Sequence, residues 1–184
     1  ITTMKKKVIL IGGEGYIGSV LSNYLVLKNY NVISFDNLIY QNSQNIINKS
    51  SNKNYTFILG DIRKTKDLNN IIDNESYVVV LAGLVGDPIT KEYPSLSKNI
   101  NDLGIKKVID VSFKNKAKKI IFVSTCSNYG LISNNEIADE NFFLNPLSLY
   151  AKSKVKAERY ILNHRHNNTT SSTILRFATA FGIS

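Results

Sequence analysis

The stretch VILIGGEGYIG, residues Val8 to Gly18, decides how the rest of the chain is read. Four apolar residues, three of them Val or Ile, run straight into glycines at 12, 13, 15 and 18, and a helix-like segment follows at once. A strand, a glycine turn and a helix N-terminus make a cradle for a pyrophosphate. Gly12 permits the tight turn, Gly15 lets backbone N–H groups approach an anion, and Gly18 lets the helix pack close to the sheet. The helix dipole then faces the anion with its positive end. The spacing Gly12-x-x-Gly15-x-x-Gly18 departs by one position from the commoner form, and by itself the loop also fits a glycine-rich turn that binds nothing.

The next strand narrows the choice. VISFDN ends at Asp36, about 20 residues after the loop, where a ribose-binding carboxylate belongs. A carboxylate there accepts hydrogen bonds from both ribose hydroxyls and repels a 2′-phosphate, which favours NAD over NADP. Asp61, in LGDIR, is placed to reach an adenine amino group with Ile62 packed on the ring, or equally to cap a helix beginning near Lys64. In VLAGLVGDP the small residues after Leu81, Ala82 and Gly83, let the chain pass close to a cofactor.

Further apolar runs follow at 32–35, 55–59, 77–82, 119–124 and 172–177, rich in β-branched residues and without polar alternation. They suit strands buried on both faces of a parallel sheet. Helix-like stretches lie between them at 16–29, 96–115 and 148–165. The first is expected to bury Ile17, Val20, Leu21, Tyr24, Leu25 and Leu27, and the second Ile100, Leu103, Val108, Val111 and Ser112. Alternating strands and helices predict an α/β, Rossmann-type doubly wound parallel sheet with helices on both faces. The irregular segment at 131–146 falls where ligands dock on such a sheet.

The chain of 184 residues, 43% hydrophobic and 20% charged, suffices for one domain with a full core. No apolar run reaches the roughly 20 residues of a membrane span, and with no leader-like segment the expected location is cytoplasmic. The net charge of +9 comes from scattered lysines rather than a basic tract interleaved with aromatics, so nucleic acid is not an expected partner. One cysteine, Cys126, excludes an internal disulfide and a cysteine cluster for metal; it reads as a small filler. His164 and His166 lie in a polar stretch and read as solvated rather than as ligands.

YAKSK places Tyr150 and Lys154 four apart on one helix face. A nearby ammonium, with the charge of an oxidised nicotinamide, pulls the phenol toward neutrality and makes it a usable base. IIFVSTCSNYG ends a strand in hydroxyls, of which Thr125 can bond the same substrate oxygen as Tyr150, or merely its own backbone.

With these motifs in place the sequence resembles the extended short-chain dehydrogenase/reductases, specifically the NAD-dependent epimerase/dehydratase group acting on nucleotide sugars. GGEGYIG, FDNL, GDIR, LAG, N-x-x-G at Asn101 to Gly104, STCSNYG, YAKSK and RFATAFG occur in that group's order from Lys6 to about Gly182. The resemblance implies that Gly12, Gly15, Tyr16, Ile17 and Gly18 bind the pyrophosphate. It implies that Asp36, Asn37 and Leu38 hold the adenosine ribose, Asp61 and Ile62 the adenine, and that Leu81, Ala82 and Gly83 line the cofactor. Asn101 supports the active site through its helix, Phe177 sits beside the nicotinamide, and Lys154 holds its ribose. Thr125, Tyr150 and Lys154 match the Ser/Thr-Tyr-Lys triad.

The activity implied is NAD-dependent epimerisation of a nucleotide sugar. Dehydratases of the group usually carry an acid just after the triad Ser/Thr, whereas Cys126 and Ser127 stand here. A sugar dehydrogenase or reductase, a dehydratase, and a non-catalytic NAD-binding module are the alternatives. Family members continue past RFATAFG into a substrate-binding domain. Residues 4–184 are therefore expected to be the NAD-binding domain, the N-terminal part of a longer enzyme. A homodimer through the helices at 96–115 and 148–165 is also implied.

Overall fold

A computed structural model of the chain describes residues 5–133, 135–164 and 169–182. Six strands form one parallel sheet: β1 (Lys7–Ile11), β2 (Asn31–Asp36), β3 (Tyr55–Leu59), β4 (Ser76–Val80), β5 (Lys119–Thr125) and β6 (Ser171–Phe177). Their spatial order is β3-β2-β1-β4-β5-β6, the doubly wound arrangement expected, with the chain reversing direction across the sheet between β1 and β4.

The alternation of side chains explains why β1 lacks polar positions. Ile9 and Ile11 face a large core shared with Phe35, Val78, Val80, Val108, Ile120 and Phe122, while Val8 and Leu10 face a second core with Val32, Tyr55 and Val79. The four apolar residues of β1, Val8 to Ile11, are all buried, so both faces must be apolar. Each such side chain contributes roughly 1.5–3 kcal/mol on burial. The expectation of continuous burial fails at β5, which alternates, and at the edge strands β3 and β6. Ile120 and Phe122 face the large core, whereas Ile121 and Val123 point to the less covered face.

The helices are α1 (Tyr16–Leu27), α2 (Gln44–Lys49), α3 (Thr65–Asn69), α4 (Asp87–Glu92), α5 (Pro94–Ser97), α6 (Ile105–Lys114) and α7 (Leu149–Asn163). The four short ones, α2 to α5, carry too few turns for a periodic signal. The helix expected over 96–115 is three pieces: α5, a π-helical segment at Lys98–Gly104, and α6. Ile100, Val108, Val111 and Ser112 are buried as expected, but Leu103 is half exposed.

The buried face of α1 is corrected more strongly. Gly18, Ser19 and Ser22 are buried, while Val20, Tyr24 and Leu27 are exposed. The cause is the glycine turn itself. A Cβ on Gly18 would lie 2.6 Å from the Gly13 carbonyl oxygen, so the helix is drawn in on its small residues and the large ones rotate outward. Leu21, Leu25 and Val26 pack at the margin of the second core.

Candidate active site

Every strand of a parallel sheet delivers its C-terminal end to the same edge, and the candidate residues gather there. β1 ends at Ile11, paired with Phe35 and Val80 on its two sides. The chain then turns at Gly12, whose φ is +82°. The Gly12 N–H donates to the Phe35 carbonyl at 2.8 Å, and the Ile11 carbonyl accepts from Leu81 and Ala82 N–H at 2.8 and 2.7 Å. A Cβ on Gly12 would meet the Ala82 nitrogen at 2.6 Å. Helix α1 starts after Gly15 with no side-chain cap and no acidic residue in its first turn. Its first N–H groups therefore lack a side-chain partner and a competing anion.

A cavity of about 630 Å³ opens over this edge. Gly12, Gly15, Tyr16, Ile17 and Gly18 line it, with Asp36, Asn37, Asp61, Ile62, Leu81, Ala82, Gly83, Thr125, Tyr150, Lys154 and Phe177. Ile39, Tyr40 and Asn42, which sequence reasoning passed over, line it too. Leu38 and Asn101 do not. Leu38 donates its N–H to Asp36 Oδ1 at 2.8 Å and shapes the turn. Asn101 is buried and engaged with Leu84, accepting from its N–H at 2.8 Å and donating to its carbonyl at 3.0 Å, so it pins the segment after β4 rather than facing a ligand.

Asp36 is fixed by two backbone donors, Leu38 N–H and Glu14 N–H, the latter 3.0 Å from Oδ2. Asp61 does not cap the third helix: α3 begins at Thr65 with Lys64 at its cap and no side-chain cap bond. Its carboxylate instead takes a forked contact from Arg63, 2.9 Å to Nε and 2.5 Å to Nη2, and this guanidinium holds it below the usual carboxylate range.

Sequence reasoning gave Glu14 no role, yet it is almost fully buried. Its carboxylate accepts from Ser34 Oγ and Tyr55 Oη at 2.5 Å and lies 3.2 Å from the buried Lys49 ammonium, which also donates to Ser22 Oγ at 2.9 Å. Burial, then the Glu14 bond, push the Tyr55 phenol far up. The pair comes from residues far apart in the chain, so no local pattern announces it.

Thr125 closes β5, directly paired with Phe177 at the end of β6. Its Oγ accepts from Ser127 N–H at 3.1 Å and contacts Ser127 Oγ at 3.2 Å, so the local backbone bond weighed above is present while the hydroxyl still faces the cavity. Cys126 beside it is exposed, not a packed filler, because the chain leaves the sheet there in a 3₁₀ turn at Cys126–Tyr129.

Helix α7 is capped by Ser148, which accepts from Ala151 N–H at 3.1 Å, and its first turns carry Tyr150 and Lys154. Lys154 is buried; its Nζ donates to the Val123 carbonyl at 2.8 Å and lies 5.7 Å from the Tyr150 ring centre. Burial lowers Lys154 to about 8, against which Glu158 acts to raise it. Burial pushes Tyr150 up rather than down, so the protein alone does not lower the phenol. A base at neutral pH requires further positive charge in the cavity.

His164 stacks on Phe113, ring centres 4.8 Å apart, and its Nδ1 lies 2.8 Å from the Tyr160 carbonyl; His166 falls outside the described residues. Among the described residues, no group of three or more His, Cys, Asp and Glu side chains could hold a metal, and no helix is long and apolar enough to cross a membrane.

Comparison with known proteins gives the family. The model of the NAD dependent epimerase/dehydratase family matches residues 8–184. A dTDP-D-glucose 4,6-dehydratase of Dictyostelium discoideum is 31% identical over 175 residues, covering 86% of this chain and 40% of that protein. Among solved structures, the UDP-N-acetylglucosamine 4-epimerase from Methanobrevibacter ruminantium M1, in complex with UDP-N-acetylmuramic acid, superposes with a TM-score of 0.84 at 30% identity, over 94% of this chain and 55% of that one. The UDP-glucuronic acid 4-epimerase from Bacillus cereus in complex with NAD gives 0.82 at 27% identity, over 96% and 57%. The chain thus spans about half the length of most relatives it matches.

Proposed function

The chain belongs to the NAD-dependent epimerase/dehydratase family, and we propose from that premise that it is the NAD-binding, base-carrying part of a nucleotide-sugar epimerase. The observation that carries this reading is one cavity lined at one end by the glycine turn and Asp36 and at the other by Thr125, Tyr150 and Lys154. The residues fit the cofactor: the closest approaches are reserved for glycine, the α1 N-terminus carries no side-chain cap and no acid in its first turn, and Asp36 lines the same cavity.

Bound NAD supplies a reversible acceptor for hydride. Tyr150, as phenolate, takes the proton from a sugar hydroxyl and later returns it. The Lys154 ammonium stabilises that phenolate and holds the nicotinamide ribose. Thr125 donates to the same sugar oxygen, its hydroxyl swinging away from Ser127. No carboxylate follows Thr125, which supports epimerisation over dehydration. A homodimer through α6 and α7 belongs to the same reading, supported by the half-exposed Leu103 in the recess between those helices.

The test uses the full-length protein. NAD titration reads the cofactor site, and incubation with UDP-hexoses reads the reaction. An epimerase inverts one carbon with no net change in NAD, whereas a dehydrogenase accumulates NADH and a non-catalytic module does neither. Tyr150→Phe is expected to abolish turnover and spare NAD binding; unchanged turnover sinks the assignment.

A further inference from the structure

Four residues after Lys154, Glu158 stands almost fully buried on α7. Its Oε1 accepts from Ser124 Oγ at 2.5 Å, Asn128 Nδ2 at 2.7 Å and Arg176 Nε at 3.1 Å, and its Oε2 accepts from Arg176 Nη2 at 2.8 Å. Each donor stands beside a residue of the site. Ser124 precedes Thr125 on β5. Asn128 belongs to the turn that follows Thr125. Arg176 precedes Phe177 on β6, and Phe177 pairs with Thr125. The same guanidinium extends Nη1 to Tyr129 Oη at 3.2 Å and to the Glu140 carbonyl at 3.1 Å, tying Glu140 to the end of β6.

We infer that Glu158 is a positioning residue for the reaction read above: its carboxylate holds the ends of β5 and β6 against α7, and so sets Thr125, Phe177 and the Tyr150–Lys154 pair relative to one another. The inference rests on the proposed function for the identity of the reacting groups. Stability alone does not call for this charge. A buried ion pair is often no more stabilising than apolar residues of the same volume, whereas it does select one arrangement of the segments that meet at it. A misplacement of about 1 Å among reacting groups costs on the order of a hundredfold in rate.

The charge has a second consequence. Burial lowers Lys154, and Glu158, one turn away, acts against that shift. Around Glu158 the other charged or titratable groups are Lys154 and Tyr150 on its own helix, Arg176 from β6 and Tyr129 from the 3₁₀ turn. From α4, Asp87, Lys91 and Glu92 are exposed, and Asp102 and Asp110, from the segments packed on α7, engage Lys156 and Tyr160 instead. Loss of the carboxylate lowers Lys154 further, so the ammonium beside Tyr150 gives up its proton at lower pH.

The experiment compares wild type, Glu158→Gln and Glu158→Gln/Arg176→Met in the full-length protein labelled with ¹³Cε-lysine, the Lys154 resonance being assigned by its loss in Lys154→Met. The double variant removes both charges and keeps the volume, so it folds where the single variant leaves Arg176 unpaired. Lys154 is expected to titrate lower by roughly half a pH unit or more than in the wild type. With the UDP-hexose turned over by the wild type, turnover is expected to fall about tenfold or more while the NAD dissociation constant changes less than about threefold. A folded double variant with the wild-type Lys154 titration and turnover overturns the proposal. Absence of NAD binding in the wild type overturns the proposed function instead, and the Lys154 titration still reads Glu158.

Discussion

The Lys154 ammonium donates to the Val123 carbonyl 2.8 Å away, and burial lowers it to about 8. In the unfolded chain it titrates near 10.4. Below pH 8 both states hold the proton and the folded state carries the full cost of the buried charge. As pH rises from 8 toward 10.4 the unfolded state binds more protons, so this contribution to stability improves. Lys154→Met is therefore expected to raise the melting temperature at pH 7, the charge cost removed being at most on the order of 3 kcal/mol. The gap to wild type should narrow between pH 8 and 10, while turnover is lost. Thermal melts across pH check the sign; a variant less stable than wild type at pH 7 refutes it.

Asp36 presents a carboxylate already fixed by Glu14 and Leu38 N–H groups. Asp36→Asn keeps the shape and removes the charge. Hydrogen bonds to a charged group are worth about 1.5–3 kcal/mol, so NAD affinity is expected to fall by about 10- to 100-fold and NADP affinity not to fall. Calorimetric titration with both dinucleotides measures the ratio, and an unchanged ratio removes Asp36 from the ribose site.

Gly12 combines a φ of +82° with a neighbour only 2.6 Å from the Cβ it lacks. Gly12→Ala must move either the turn or the β4 end at Ala82. Strain at a positive φ alone costs about 1–3 kcal/mol. A lower melting temperature and at least tenfold weaker NAD binding are expected; wild-type binding would mean that the turn does not cradle the cofactor.

The Glu14–Lys49 pair, 3.2 Å apart and buried, makes a double-mutant prediction. Removing one partner leaves a buried charge and costs about 3–5 kcal/mol. Glu14→Gln and Lys49→Met should each destabilise strongly in denaturant unfolding, and the double variant should recover most of the loss. Simple additivity of the two losses would show that the pair is not coupled.

The sequence by itself determined the sheet and the two ends of its cavity. The β-branched runs of β1 and β4 are covered on both faces as their lack of polar alternation requires, and Gly12 to Gly18 require a turn where backbone passes backbone. Tyr150 and Lys154 share a helix face by their spacing alone. These are local consequences of periodicity and of a missing Cβ, and they are legible without long-range contacts. The tertiary structure alone decided that α1 buries Gly18, Ser19 and Ser22 rather than Val20, Tyr24 and Leu27, because contact with the Gly13 carbonyl overrides apolar periodicity. It also decided that Asn101 turns to Leu84 and that Asp61 pairs with Arg63 instead of capping α3. The two buried carboxylates belong here as well. Glu14 and Glu158 are ordinary surface residue types, one inside a glycine motif and one on a charged helix. What makes each an anchor is a cation and hydroxyls from strands and helices distant in sequence. Burial of a charge is a property of the whole packing, and no stretch of the chain records it locally.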